Sequence, residues 1–311
     1  MKRGVAIVLR LGVSVAMLAA VLVLTDGAAA LARLADADIV WLIAAGALLS
    51  VQTVLMAARW RLTAGRLGLH IGWDVAIGEY YLAQLVNMTL PGGVVGDVAR
   101  TARSRHDAGL APAIHAVMIE RLAGQIAMFT VLLAGLCGAM LVPSGITVPS
   151  VFATVALTGL ATVAAGLIAM AVWPRWRPDG VTADFAVSLR RALFARDVAW
   201  KQVLLALAIV ALNLAAFAAA ARATGTVLGF AACVILIPLI LTAMTIPFAV
   251  GGWGWREGAA AALFPLADAT GEAGVAAGLA FGLVMLIASV PGALWPMVGV
   301  SALPPVRSRP S

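Results

Sequence analysis

The chain has 311 residues, 63% of them hydrophobic and only 11% charged, with a mean hydropathy of +1.04. A soluble domain carries roughly 25% charged residues to dress its surface, so this composition excludes a water-soluble globular protein. The solvent of this chain is lipid.

Within hydrocarbon, only helical bundles and closed barrels satisfy the backbone. Runs such as VSVAMLAAVLVL lack the alternation of a barrel strand. The expected fold is therefore all-α and polytopic, a single integral membrane domain over 1–311. Lys and Arg number 21 against 14 Asp and Glu, a net charge of +7, and every basic residue except Lys2 and Lys201 is arginine. Arginine is the better bidentate phosphate ligand, which points to lipid headgroups; a biased composition in an Ala-, Gly- and Arg-heavy chain is the alternative. The basic residues are spread among loops, so no nucleic acid is expected. Cys137 and Cys233 lie in apolar runs, and His70, His106 and His115 are not grouped with carboxylates. No metal, disulfide or cofactor is expected.

Six segments read as full spans: about 5–24, 39–58, 111–141, 150–172, 198–221 and 273–300. The first imitates a secretory signal, but its apolar run is longer than a signal core of about 7–15 residues. It is read as a retained span. Trp41, Trp60, Trp73, Trp173, Trp176, Trp200 and Trp295 fall near predicted ends, as an interfacial belt requires. Two segments fit less well. Residues 75–90 are short and polar for a span, and 230–247 run into TIPFAVGGWGWREG, the most helix-breaking stretch of the chain.

Loop charge arbitrates, since Lys and Arg collect on the cytoplasmic side. Lys2, Arg3 and Arg10 place the N-terminus inside, and Asp26, Asp36 and Asp38 place the next loop outside. Arg59, Arg61 and Arg66 precede segment 75–90, and Arg100, Arg103 and Arg105 follow it, so that segment dips in from the cytoplasm and returns. Arg175, Arg177, Arg190, Arg191, Arg196 and Lys201 place the long loop inside, and Arg307 and Arg309 do the same for the tail. Segment 230–264 then enters and leaves from outside. The expectation is six full transmembrane helices plus two re-entrant helical hairpins, both termini cytoplasmic. If a hairpin crosses, the count becomes seven or eight.

The two hairpins share a pattern. LPGGVVGDVAR and IPFAVGGWGWR place Pro91, Gly96 and Arg100 opposite Pro247, Gly252 and Arg256, each pair 156 residues apart. The same offset overlays the neighbouring spans with opposite orientation. Inverted repeats of about 39–141 and 195–300 follow, and such repeats of discontinuous helices hold their binding site where the breaks meet. Ordinary interfacial loops are the alternative.

Tyr80, Gln84 and Asn87 share one helix face; ligand contact and interhelical hydrogen bonding are both open to them. Asp97 is placed to cap a helix and to pair with Arg100 at i,i+3. Glu120 and Arg121 fall about 15 Å into a span, where each charge costs at least about 2.5–3.5 kcal/mol. Adjacent helical residues point about 100° apart, so each of these is expected to meet a partner from a hairpin; Arg256 and Glu257 raise the same question. A structural ion network is the alternative reading. No P-loop and no nucleophile elbow is present, so no catalytic residue and no enzyme activity is expected.

NMTLPGGVVGDVAR, ERLAG and PFAVGGWGWREG, in that order, resemble the flippase-like transmembrane domain of bacterial lysylphosphatidylglycerol synthases and its stand-alone relatives. The resemblance covers roughly residues 5–300. It implies a domain that carries an aminoacylated or glycosylated lipid between leaflets of the bacterial inner membrane. It implicates Asn87, Pro91, Gly93, Gly96, Asp97, Arg100, Glu120, Arg121, Pro247, Gly251, Gly252, Gly254, Arg256 and Glu257 in substrate binding. The chain stops at 311 with no aminoacyl-transfer domain, so lysyl transfer is not expected. The expected function is translocation of an anionic phospholipid, aminoacyl-lipid or polyprenyl/glycolipid, with Arg100, Arg121 and Arg256 countering phosphate and Glu120 and Glu257 as candidate proton carriers. The alternative is a non-transporting lipid-binding scaffold or accessory subunit of an envelope lipid or glycan assembly system. The expected partners are lipids with anionic headgroups, together with a homo-oligomeric copy or an envelope-biosynthesis protein.

Overall fold

A computed structural model of the chain describes residues 2–90, 93–105, 109–141, 181–245 and 250–296, with short pieces between 149 and 166. Among these residues every regular element is helical. Helix α1 (Lys2–Leu24) bends by 100° into α2 (Gly27–Ala35). The bend sits where Asp26 leaves the first helix and caps the second, accepting from Ala29 N at 3.0 Å. Helix α3 (Ile39–Arg66) follows, capped by Asp38. Then come α4 (Trp73–Thr89), α5 (Val95–Arg103) and α6 (Leu110–Leu141). The second half holds α7 (Val181–Leu193), α8 (Arg196–Ala223), α9 (Phe230–Ala243), α10 (Trp255–Leu263) and α11 (Gly271–Ser289). A 3-10 turn, Val290–Ala293, prolongs α11.

Among the described residues, four helices are long and apolar enough to cross a membrane: Ile39–Arg66, Leu110–Ala139, Arg196–Ala223 and Gly271–Ala293. Counting the bent α1–α2 pair makes five. This is a multi-pass membrane protein. The predicted spans at 39–58, 111–141, 198–221 and 273–300 each fall on one of these four helices, and the predicted span at 150–172 lies largely outside the described residues. The described parts of segments 75–90 and 230–247 fall on α4 and α9, of 17 and 14 residues. Each gives way to an irregular break and then a helix of 9 residues.

Helices α3 and α8 run antiparallel along their whole length. Asp38 N donates to Ala223 O at 2.9 Å at one end, while Gln202 Nε2 donates to Thr63 Oγ1 at 3.0 Å and Arg66 pairs with Asp197 at the other. Each of the two packs on both α6 and α11. Helix α4 packs on α3 and α5, and α9 packs on α8 and α10. Lipid gives helices no hydrophobic reason to associate, so close backbone approach through small residues does the work. Ala45, Ala216, Ala220, Ala221, Ala277 and Ala280 are accordingly buried at these contacts. Leu49, Phe217, Ile235, Leu236 and Phe281 fill the space between, with the Phe217 and Phe281 rings 5.2 Å apart. Ile43, Val51, Val203, Leu204 and Ile287 point outward, the surface that lipid chains cover.

Candidate functional site

The first break folds α5 back along α4. Arg103 Nε donates to both carboxylate oxygens of Glu79 at 2.8 Å, and Gly96 N donates to Asn87 Oδ1 at 2.7 Å. Gly96 crosses α4 so closely that a Cβ there would lie 2.1 Å from Ala83 O. Pro91 lies outside the described residues.

Asp97 does not cap α5. The helix begins at Val95, two residues before it, and Val94 at the cap position has no side-chain cap bond. The cap comes from across the break: Asn87 accepts the Gly96 N–H through Oδ1 and donates to Asp97 Oδ2 through Nδ2 at 2.9 Å. This frees Asp97 for two arginines. Arg100 Nη2 donates to its Oδ1 at 2.8 Å, and Arg121 pairs with its Oδ2 while also donating to Gly93 O at 3.1 Å. Glu120 takes the other side of Arg100: its Oε2 accepts from Arg100 Nη2 at 3.2 Å and its Oε1 from the Tyr80 hydroxyl at 2.6 Å. Glu120 and Arg121 thus find separate partners in the first hairpin, as expected from their angular separation. Tyr80 and Asn87 face this network, and Gln84, on the same helix face, accepts from Thr53 Oγ1 at 3.0 Å.

Two residues that the sequence assigned to a membrane boundary belong to this cluster. Trp60 is not part of an interfacial belt: it is fully buried, and the Arg100 guanidinium is held 4.4 Å from its ring centroid and 4.3 Å from that of Tyr80. Such stacking stabilises a desolvated cation by about 2 kcal/mol. Arg59, only 2% exposed, donates from Nη2 to Glu120 O at 3.2 Å and lies 3.9 Å from Glu120 Oε1. The signal that finds both is helix continuation. The apolar run stops at 58, but no glycine interrupts the chain until Gly65, so α3 carries Arg59 and Trp60 inward.

The second break is built differently, and Pro247 lies outside the described residues. Val250 N donates to Ser14 Oγ of α1 at 2.8 Å. Gly251, Gly252 and Gly254 all take positive φ (55°, 77° and 86°) through the turn. Gly251 packs directly on the backbone of Met88 at the end of α4, so the two breaks meet. Arg256 and Glu257, whose partners the sequence left open, are both fully buried and pair with each other. At the first turn of α10 the Glu257 side chain folds back, with Oε2 accepting Gly254 N at 2.7 Å, which brings Oε1 within 3.0 Å of Arg256 Nε. A Cβ on Gly282 would lie 2.0 Å from Arg256 Nη2, so α11 admits the guanidinium only because that position has no side chain.

The first cluster is open on one side, with the Arg121 side chain 47% exposed. Among the described residues, no group of three or more His, Cys, Asp or Glu gathers in a way that would hold a metal ion.

These features define a polytopic helical membrane protein whose two broken helices meet beside a buried, arginine-rich cluster. The chain belongs to the family of the lysylphosphatidylglycerol synthase TM region, whose profile matches residues 7–292. Comparison with curated proteins and with solved structures gives no match.

Proposed function

We propose that the protein is a lipid translocator of the bacterial inner membrane, moving a lipid with an anionic headgroup between leaflets and performing no catalytic step. The observation that carries this reading is the contact between the two breaks, Gly251 on Met88, with the Asp97–Arg100–Glu120–Arg121 network directly alongside. Irregular backbone at membrane depth is tolerated where it is buried in protein or lines a cavity, and transporter sites form where discontinuous helices meet. The headgroup would enter at the Arg121 edge while its tails stay in the bilayer.

The proposed architecture is the inverted repeat of 39–141 and 195–300, with α4–α5 and α9–α10 as re-entrant hairpins. It is supported by the matched element order: a 28-residue helix, a broken helix pair and a long helix in each half. The antiparallel course of α3 and α8 supports opposite orientation of the halves. Arg61, Arg66, Arg190, Arg191, Arg196 and Lys201 cluster at the end where α3 finishes and α8 begins, and Asp26, Asp36, Asp38 and Glu272 at the other. The positive-inside rule makes the first end cytoplasmic, with both termini on that side.

The test is dithionite quenching of fluorescent lipids in proteoliposomes, comparing anionic with zwitterionic headgroups. Protein-dependent exchange of an anionic lipid, lost in Arg100→Gln, is expected. Folded protein that accelerates no lipid would leave a lipid-binding scaffold or an accessory subunit of envelope assembly. That second reading draws on the Arg256–Glu257 pair, whose charges balance without a ligand.

A further inference from the structure

Arg59 lies in neither broken segment and in none of the three motifs, yet it sits at the centre of the first cluster. The charged groups there are Arg59, Arg100 and Arg121 against Asp97 and Glu120. The nearby Glu79 and Arg103 neutralise each other. Among the described residues, the cluster therefore has three formal positive charges against two negative, an excess of one. The second break carries no such excess, since Arg256 and Glu257 cancel.

Among the described residues the second break also holds unpaired buried donors, Arg256 Nη1 and Trp255 Nε1, but more gather at the first cluster. Nε and Nη1 of Arg59, Nε and Nη1 of Arg100, and Nε1 of Trp60 are buried without a hydrogen-bond partner among the described residues. The Arg100 atoms lie between aromatic rings, but Arg59 has no ring stacked on it among the described residues. Buried donors and charges are costly when unpaired, and in a membrane protein they mark ligand sites. We propose that Arg59 is the headgroup-binding arginine of this cluster and that the ligand carries one negative charge, as a phosphodiester does. A diphosphate would bring at least two and leave the cluster negative, its half-exposed Arg121 included. The inference rests on the translocator reading only in taking the phosphodiester to be that of a lipid; the charge count stands apart from it.

Native mass spectrometry of the purified full chain tests this, with short-chain phosphatidylglycerol, phosphatidylcholine, farnesyl diphosphate and tail-free glycerophosphoglycerol as probes. Phosphatidylglycerol is expected to bind more tightly than the other three. Arg59→Gln is expected to weaken it roughly tenfold or more, the loss of a charged hydrogen bond, and Arg59→Lys to keep part of the affinity. Should Arg59→Gln fail to purify, Trp60→Phe removes the indole donor while keeping a ring over Arg100, and a smaller loss is expected. A preference for farnesyl diphosphate overturns the one-charge count and leaves lipid binding standing. Glycerophosphoglycerol binding as tightly as the lipid overturns the lipid reading and leaves the charge count standing. Selective phosphatidylglycerol binding that no substitution at Arg59 alters removes Arg59 from the site.

Discussion

Gly251 rests on the main chain of Met88: a Cβ at Gly251 would lie 2.6 Å from the Met88 carbonyl oxygen. The contact joins the turn of the second break to the last turn of α4, 163 residues apart in sequence, and φ of 55° at Gly251 adds a second reason for glycine. Gly251→Ala is expected to destabilise the protein by about 2 kcal/mol or more, from left-handed strain plus the clash. A lowered thermal midpoint in detergent checks it; an unchanged midpoint would mean that the breaks part without cost.

Glu120 holds Arg100 and the Tyr80 hydroxyl on separate oxygens. Glu120→Gln leaves two buried arginines short of a counter-charge and is expected to cost about 3–5 kcal/mol. Tyr80→Phe removes one hydrogen bond to a carboxylate and is expected to cost about 1.5–3 kcal/mol. Denaturant titration of both variants should preserve that order. A double change, Glu120→Gln with Arg100→Gln, is expected to be less damaging than the sum of the single changes.

The Arg256–Glu257 pair is closed on every side. Replacing Arg256 alone by Leu strands a buried carboxylate and is expected to cost about 3–5 kcal/mol. Replacing both by Leu is expected to cost far less, since a buried pair exchanged for apolar groups is often neutral. Comparing folded yield and thermal midpoints of the single and double variants decides it. If the double variant folds but no longer exchanges lipid, the pair serves translocation beyond its structural role.

Trp295 follows the turn that ends α11 and locks onto α4. Its Nε1 donates to Glu79 Oε1 at 3.1 Å, and its ring takes the space a Cβ on Gly78 would need. Trp295→Ala is expected to loosen α4 and to cost about 3–5 kcal/mol. Hydrogen exchange should then rise across residues 73–89 and leave α8 unchanged.

Composition alone determined the class of this protein, because a chain so poor in charge has no water-soluble fold. Span-length apolar runs located the long helices at 39–66, 110–139, 196–223 and 271–293, since the length a bilayer demands is legible in one dimension. The i,i+3 spacing announced the Asp97–Arg100 pair, and the angle between adjacent residues announced that Glu120 and Arg121 would part. Spacing could not say how far α3 runs past its apolar stretch, so Arg59 and Trp60 read as boundary residues until the helix carried them inward. Nor could it show that Asn87 caps α5 from another helix, or that Glu257 folds back onto its neighbour. Those outcomes depend on which backbones approach one another, at Gly96 on Ala83 and at Gly282 behind Arg256. A buried charge takes whichever partner the packing brings within reach, and only the tertiary structure decides that.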